Sequence, residues 1–153
     1  MKKRVGIIIL VLLLLILAGG GAAFYYYYSK YINIDAIYPG MTIQGMSVGG
    51  MTQEEAKAKV QEYVDKVSQE TVTLQVKKKE STFALSDIDL KCTNMDVVEK
   101  AYDFGKTGNV FKRVIEVRKL EKEGMDFPLT FSVDKAETRK VVKKKAKKFL
   151  AKK

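Results

Sequence analysis

The chain has 153 residues, enough for one modest domain and a targeting segment but too few for two full domains. It contains no histidine and a single cysteine, which excludes Ser-His and Cys-His nucleophile pairs, zinc sites built on those residues, and any intrachain disulfide. The net charge of +10 belongs to the two ends: Lys2, Lys3 and Arg4 give +3, residues 30–133 hold 15 basic against 16 acidic side chains, and residues 134–153 sum to +8.

Behind the basic tip at residues 1–4, no charge occurs from Val5 to Ser29. Twenty-four helical residues, 5–28, rise ~36 Å and cover a bilayer core of roughly 30 Å. With Lys2-Lys3-Arg4 held inside, the span predicts a cytoplasmic N-terminus, with Tyr25, Tyr26, Tyr27, Tyr28 and Tyr31 at the outer interface. Small residues at Gly21-Ala22-Ala23 leave a cleaved signal peptide as the rival, but the tyrosine cluster and the charge-free length favour a permanent anchor. Both readings export the rest of the chain, a juxtamembrane linker at 29–36 and one domain at 37–150.

Ile37 to Ala56 reads as a Pro39-Gly40 turn, a short strand, a turn at Gly49-Gly50 and a helix start at Thr52 with Glu55 as its reciprocal cap. Its glycines suit turn geometry better than an anion cradle, because no phosphate-loop spacing is present. Ala56, Val60, Tyr63, Val64 and Val67 then form one helical stripe. Val72, Leu74 and Val76 with Phe83 and Leu85 predict a hairpin, and Cys92, two residues after Leu90, shares an apolar side. Thr93 with Asp96 predicts a capped helix ending at Gly105, and 109–121 predicts another helix closed by Gly124. Phe127, Leu129, Phe131 and Val133 alternate as one strand, and Asp134 with Glu137 starts a Lys-rich helix at 139–153 carrying Val142, Ala146, Phe149 and Leu150. The sum is an α+β chain: a transmembrane helix, then one small mixed domain with a mainly antiparallel sheet.

Two segments bear a resemblance. Ile37, Pro39-Gly40, Ile43, Gly45, Val48-Gly49-Gly50, Met51-Thr52 and Glu55-Ala56 resemble the opening of the putative peptidoglycan-binding domain that precedes VanW-like and some L,D-transpeptidase domains in Gram-positive bacteria. Ala101 to Asn109 resembles that family's alanine and glycine-basic-x-glycine signature, with Lys106 where the family often has Arg. The resemblance implies a wall-facing module over about residues 35–150, anchored in the cell membrane with its domain outside. A transpeptidase of that type needs a Cys served by a His, which this sequence cannot supply.

Tyr102, Lys106, Lys112 and Arg113, near Phe111, form the candidate ligand surface: cations for stem-peptide carboxylates and an aromatic face for a sugar ring. A solvated helix face is the plainer explanation of the same residues. Glu54-Glu55, Asp87 with Asp89, and Glu121 with Glu123 are explained by caps and surface charge rather than glycosidase chemistry, so no catalytic residue, metal or cofactor is expected. The functional expectation is a non-catalytic module binding or positioning peptidoglycan. Its alternatives are an accessory segment of a longer wall-modifying enzyme and a binder of teichoic acid or anionic lipid through the basic C-terminal helix. Nucleic acid is not an expected partner, because the tail lies outside the cell and Phe149 is its only ring.

Overall fold

The computed structural model describes the backbone of residues 2–32, 34–76 and 79–150, and side chains at 6–29, 32, 34–75 and 79–147. The side chains of Lys2, Lys3, Arg4, Tyr31, Val76, Phe149 and Leu150, which carry parts of the expectations above, lie outside the described residues. The first helix, α1, runs unbroken over Lys2–Tyr31. Its stretch Gly6–Ser29 is long and apolar enough to cross a membrane, and none of it is buried against protein. A continuous helix satisfies every backbone amide internally, which a span in hydrocarbon requires.

The Ile37–Ala56 stretch becomes the centre of the core. Ile37, Tyr38, Met41, Ile43, Val48 and Ala56 are buried, and the loop is closed by Ile37 N–H donating to the Met51 carbonyl at 2.8 Å and Gly50 N–H to the Ile37 carbonyl at 2.8 Å. Strand β1 (Met41–Ile43) pairs antiparallel with β2 (Met46–Ser47). Gly49 is needed for packing rather than for its φ: a Cβ there would lie 2.9 Å from Pro39 Cα and 3.1 Å from the Tyr38 carbonyl oxygen. The capping box forms as predicted, with Glu55 N–H donating to Thr52 Oγ1 at 3.2 Å and Thr52 N–H to Glu55 Oε2 at 2.9 Å. It opens α2 (Gln53–Gln69), whose predicted stripe buries Ala56, Val60 and Val64 on the core. Each fully buried valine of that kind contributes about 1.5–3 kcal/mol.

The hairpin β3 (Thr71–Val76) and β4 (Lys79–Ala84) is antiparallel, with Val72 opposite Phe83. A single 3-10 turn over Leu85–Ile88 leads to β5 (Lys91–Cys92), where Cys92 is half-buried against the core. Helix α3 (Val97–Asp103) follows, then α4 (Val110–Glu123), β6 (Met125–Phe127), β7 (Phe131–Ser132) and α5 (Lys135–Leu150). Strand β6 lies parallel to β1, giving the order β2-β1-β6, while β7 pairs antiparallel with β5. The three small sheets are therefore mainly antiparallel, as expected of an α+β domain.

Three local expectations are corrected. The single strand over Phe127–Val133 is two: Pro128 has no N–H to give a ladder, so the chain leaves β1 after Phe127 and joins β5 at Phe131. Thr93 does not cap α3, because its hydroxyl donates to the Thr130 carbonyl at 3.2 Å, and Asp96 stands at the N-cap with its carboxylate paired to Lys100 at 2.7 Å rather than capping the helix backbone. Asp134 caps α5, accepting from Ala136 and Glu137 N–H at 2.7 and 2.8 Å, but Glu137 does not reciprocate and pairs instead with Lys140 at 2.6 Å.

Candidate functional site

Helix α4 owes its start to Asn109, whose side chain accepts the Lys112 N–H at 2.8 Å, and its end to Gly124. Three stripes then run along it. Arg113, Val117 and Leu120 form the inner one, with Val117 and Leu120 buried. Lys112–Glu116 at 3.6 Å and Lys119–Glu123 at 3.8 Å are i,i+4 ion pairs on the second. Phe111, Ile115, Arg118 and Lys122 form the third, with Phe111 82 % and Ile115 67 % exposed.

Arg113 is the polar hub. Its Nε donates to the Gly105 carbonyl at 2.9 Å and its Nη2 to the Ile32 carbonyl at 2.6 Å. The second bond matters because Ile32 closes the last turn of α1, its N–H donating to the Tyr28 carbonyl at 2.9 Å. Helix C-termini leave carbonyls without partners, and a cation there satisfies both the lone pairs and the dipole. Arg113 thus caps α1 from another helix, and Ile32 itself is buried in the domain core.

Beneath this bond lies Tyr38. Gly105, at φ +71°, ends α3 and lets the backbone settle on that ring: a Cβ there would meet Val117 Cγ2 at 3.0 Å and Tyr38 Cε2 at 3.1 Å. Burial pushes the Tyr38 phenol above its usual 10.0, and the hydrogen bond and charge of Arg113 offset part of that rise.

Tyr102 points its hydroxyl at Asp35, to which it donates a short hydrogen bond. That bond, with some desolvation, raises the Tyr102 pKa. Lys106 Nζ lies 3.1 Å from the centroid of the Tyr102 ring and has no hydrogen-bond partner among the described residues. Desolvation lowers its pKa, with nearby Arg113 acting in the same sense and Asp35 and Asp103 opposing. The site is therefore an ammonium held over an aromatic face beside a carboxylate that lies three residues past Ile32 at the α1 exit.

Of the four residues predicted for ligand contact, Tyr102, Lys106 and Arg113 come together around residues 32–38, while Lys112 stands apart with Glu116. Asp35 belongs to the cluster although the sequence does not point to it; a carboxylate 67 positions before its tyrosine leaves no local signal. Each acid pair has at least one member with a structural partner: Glu55 caps α2, Asp87 accepts the Ala84 N–H at 3.2 Å, Asp89 pairs with Lys91 at 2.7 Å, and Glu123 pairs with Lys119.

No curated protein and no solved structure matches the chain. A family model does match over residues 81–152, from within β4 to the end of α5. The second resembling segment, Ala101 to Asn109, lies inside this range, and the opening stretch lies before it. The matched residues do not pack by themselves, since β4 pairs with β3 and β6 with β1. Residues 81–152, a little under half of the chain, are similar to the family described as a putative peptidoglycan binding domain.

Proposed function

We propose that this protein is a membrane-anchored, extracytoplasmic and non-catalytic module that binds peptidoglycan, with α1 as a single span and residues 37–150 as the binding domain. The observation that carries this reading is the family match over residues 81–152. Support for the anchor comes from the bare apolar surface of α1, which as part of a water-soluble unit would expose Ile7 through Leu17 to solvent.

Within the domain, the contact surface centres on Tyr102 and Lys106. Arg113 gives its Nε and Nη2 to backbone carbonyls and Lys112 faces Glu116. Lys106 brings three donors, and a stem-peptide carboxylate that drew its ammonium off the Tyr102 ring would give it the hydrogen bonds it lacks. The ring thereby uncovered is a platform for an apolar sugar face.

The test is co-sedimentation of the full chain, held in detergent micelles, with sacculi stripped of teichoic acid so that the Lys-rich α5 has no polyanion to track. Wild-type protein is expected in the pellet and Lys106→Gln is expected to lose much of that binding with no loss of unfolding temperature. Failure of the wild type to pellet would overturn the function. Full binding by Lys106→Gln would move the contact surface elsewhere in the domain.

A further inference from the structure

The outer stripe of α4 has no packing partner among the described residues. Phe111 and Ile115, one turn apart, are more exposed than any other large apolar side chain outside α1 among the described residues, and Val110, at the first position of the helix, is 41 % exposed. The stripe continues with Arg118 and Lys122, and no acid lies on it; neither cation forms an ion pair among the described residues. The adjoining stripe, in contrast, neutralises its lysines internally. A helix surface of two bulky apolar groups succeeded by two uncompensated cations fits the boundary between acyl chains and anionic headgroups.

Position makes this more than a pattern. The Arg113 bond fixes the N-terminal half of α4 to the last turn of α1, with Phe111 and Ile115 on the side of the helix turned away from Arg113 and from the domain core. Where α1 spans a membrane, Tyr25 to Tyr28 mark the outer interface and Ile32 lies one turn beyond it. The N-terminal half of α4 is then within the headgroup layer, where interfacial helices bury their apolar side ~5–10 Å deep.

We propose that the Val110/Phe111/Ile115 surface of α4 docks on the outer leaflet, with Arg118 and Lys122 against anionic headgroups. The inference rests on the anchor reading of α1. Two attachments, a span and a docked helix joined by the Arg113 cap, would fix the tilt of the domain and turn the rest of it toward the wall.

The chain has no tryptophan, so a single introduced indole reports on its own surroundings. The full chain is reconstituted in phosphatidylglycerol-containing vesicles, with and without phospholipids brominated on their acyl chains, as Phe24→Trp, Phe111→Trp and Val133→Trp. Quenching with a blue shift is expected for Phe24→Trp and Phe111→Trp, and neither for Val133→Trp, which lies just past β7. Quenching at Phe24 without quenching at Phe111 would overturn the docking while leaving the anchor intact. No quenching at Phe24 would overturn the anchor and the docking with it. A blue-shifted but unquenched Phe111→Trp would place a second protein copy on the stripe and would also refute lipid contact. Adding Arg118→Glu and Lys122→Glu to Phe111→Trp is expected to reduce its quenching, and unchanged quenching would remove the cations from the docking surface.

Discussion

Residues 37–56 and residues 101–113 meet at Tyr38 and do opposite work. The first stretch supplies six buried apolar side chains. The second gathers Tyr102, Lys106 and Arg113 at the surface of that core, over the end of α1. The opening stretch, which lies before the matched residues 81–152, serves packing, whereas the matched residues contain Tyr102, Lys106 and Arg113. Tight turns and buried contacts constrain sequence without any ligand, because close packing tolerates few changes of volume.

The largest effect is expected where the two stretches join. Tyr38→Ala removes a fully buried ring from beneath Gly105 and leaves Arg113 without one partner. Buried aromatic truncations cost about 3–5 kcal/mol, so thermal unfolding monitored by near-UV circular dichroism should show a domain that is barely folded at room temperature. A melting point close to that of the wild type would mean that the opening stretch is not the core.

Next in size is Arg113→Ala. It strands the Gly105 carbonyl and the capping contact at Ile32, for an expected loss of about 1–3 kcal/mol. Hydrogen exchange should rise at the α1 exit and at the α3–α4 turn together. Exchange that rises at only one of them would show that the guanidinium does not join the two.

How much of this is legible in the sequence varies with the range of the interaction. The Thr52/Glu55 box, the Asp134 cap and the Ala56/Val60/Val64 stripe are local, so spacing alone predicts them. The Asn109 cap is equally local, and an Asn immediately before the helix is its signal. The Phe127–Val133 stretch looks like one strand because alternation reports which face is apolar and not which strand is the neighbour; Pro128 is the clue that pairing changes there. Arg113 looks like a ligand contact because its partners are backbone carbonyls 81 and 8 positions away. A carbonyl leaves no mark in sequence, so neither the α1 cap nor the approach of Asp35 to Tyr102 can be found without coordinates.

A smaller and pH-dependent effect is expected at the β1–β6 junction. Asp126 Oδ1 accepts from the Thr42 hydroxyl at 2.6 Å and from Gly45 N–H at 2.9 Å, and these bonds, the first foremost, hold its pKa below 3.8. A carboxylate depressed in the folded state stabilises fully above its unfolded value and loses that contribution as pH falls through its folded value. Asp126→Ala should therefore lower the unfolding temperature at neutral pH, and the gap from wild type should close as the pH falls below about 3.8. A gap that stayed constant with pH would mean that the lost bonds do not depend on the charge.

The smallest stability effect is expected at Lys106, and its sign is opposite. Desolvation lowers the pKa of this lysine below 10.5, so the unfolded chain binds its proton more tightly than the folded one. Stability then increases as pH rises from the folded value toward 10.5, because deprotonation relieves the penalty on the buried charge. Lys106→Met keeps the long apolar stem over Tyr102 and removes the charge. It should unfold at a slightly higher temperature than wild type near neutral pH, with the advantage shrinking as the pH approaches 10.5. A charge kept at some cost to the fold is one whose benefit lies in binding, and loss of pelleting with sacculi in this stabilised variant would separate the two roles. A Lys106→Met protein that was less stable at neutral pH would instead make the ammonium a structural brace, held by the ring and by Asp35.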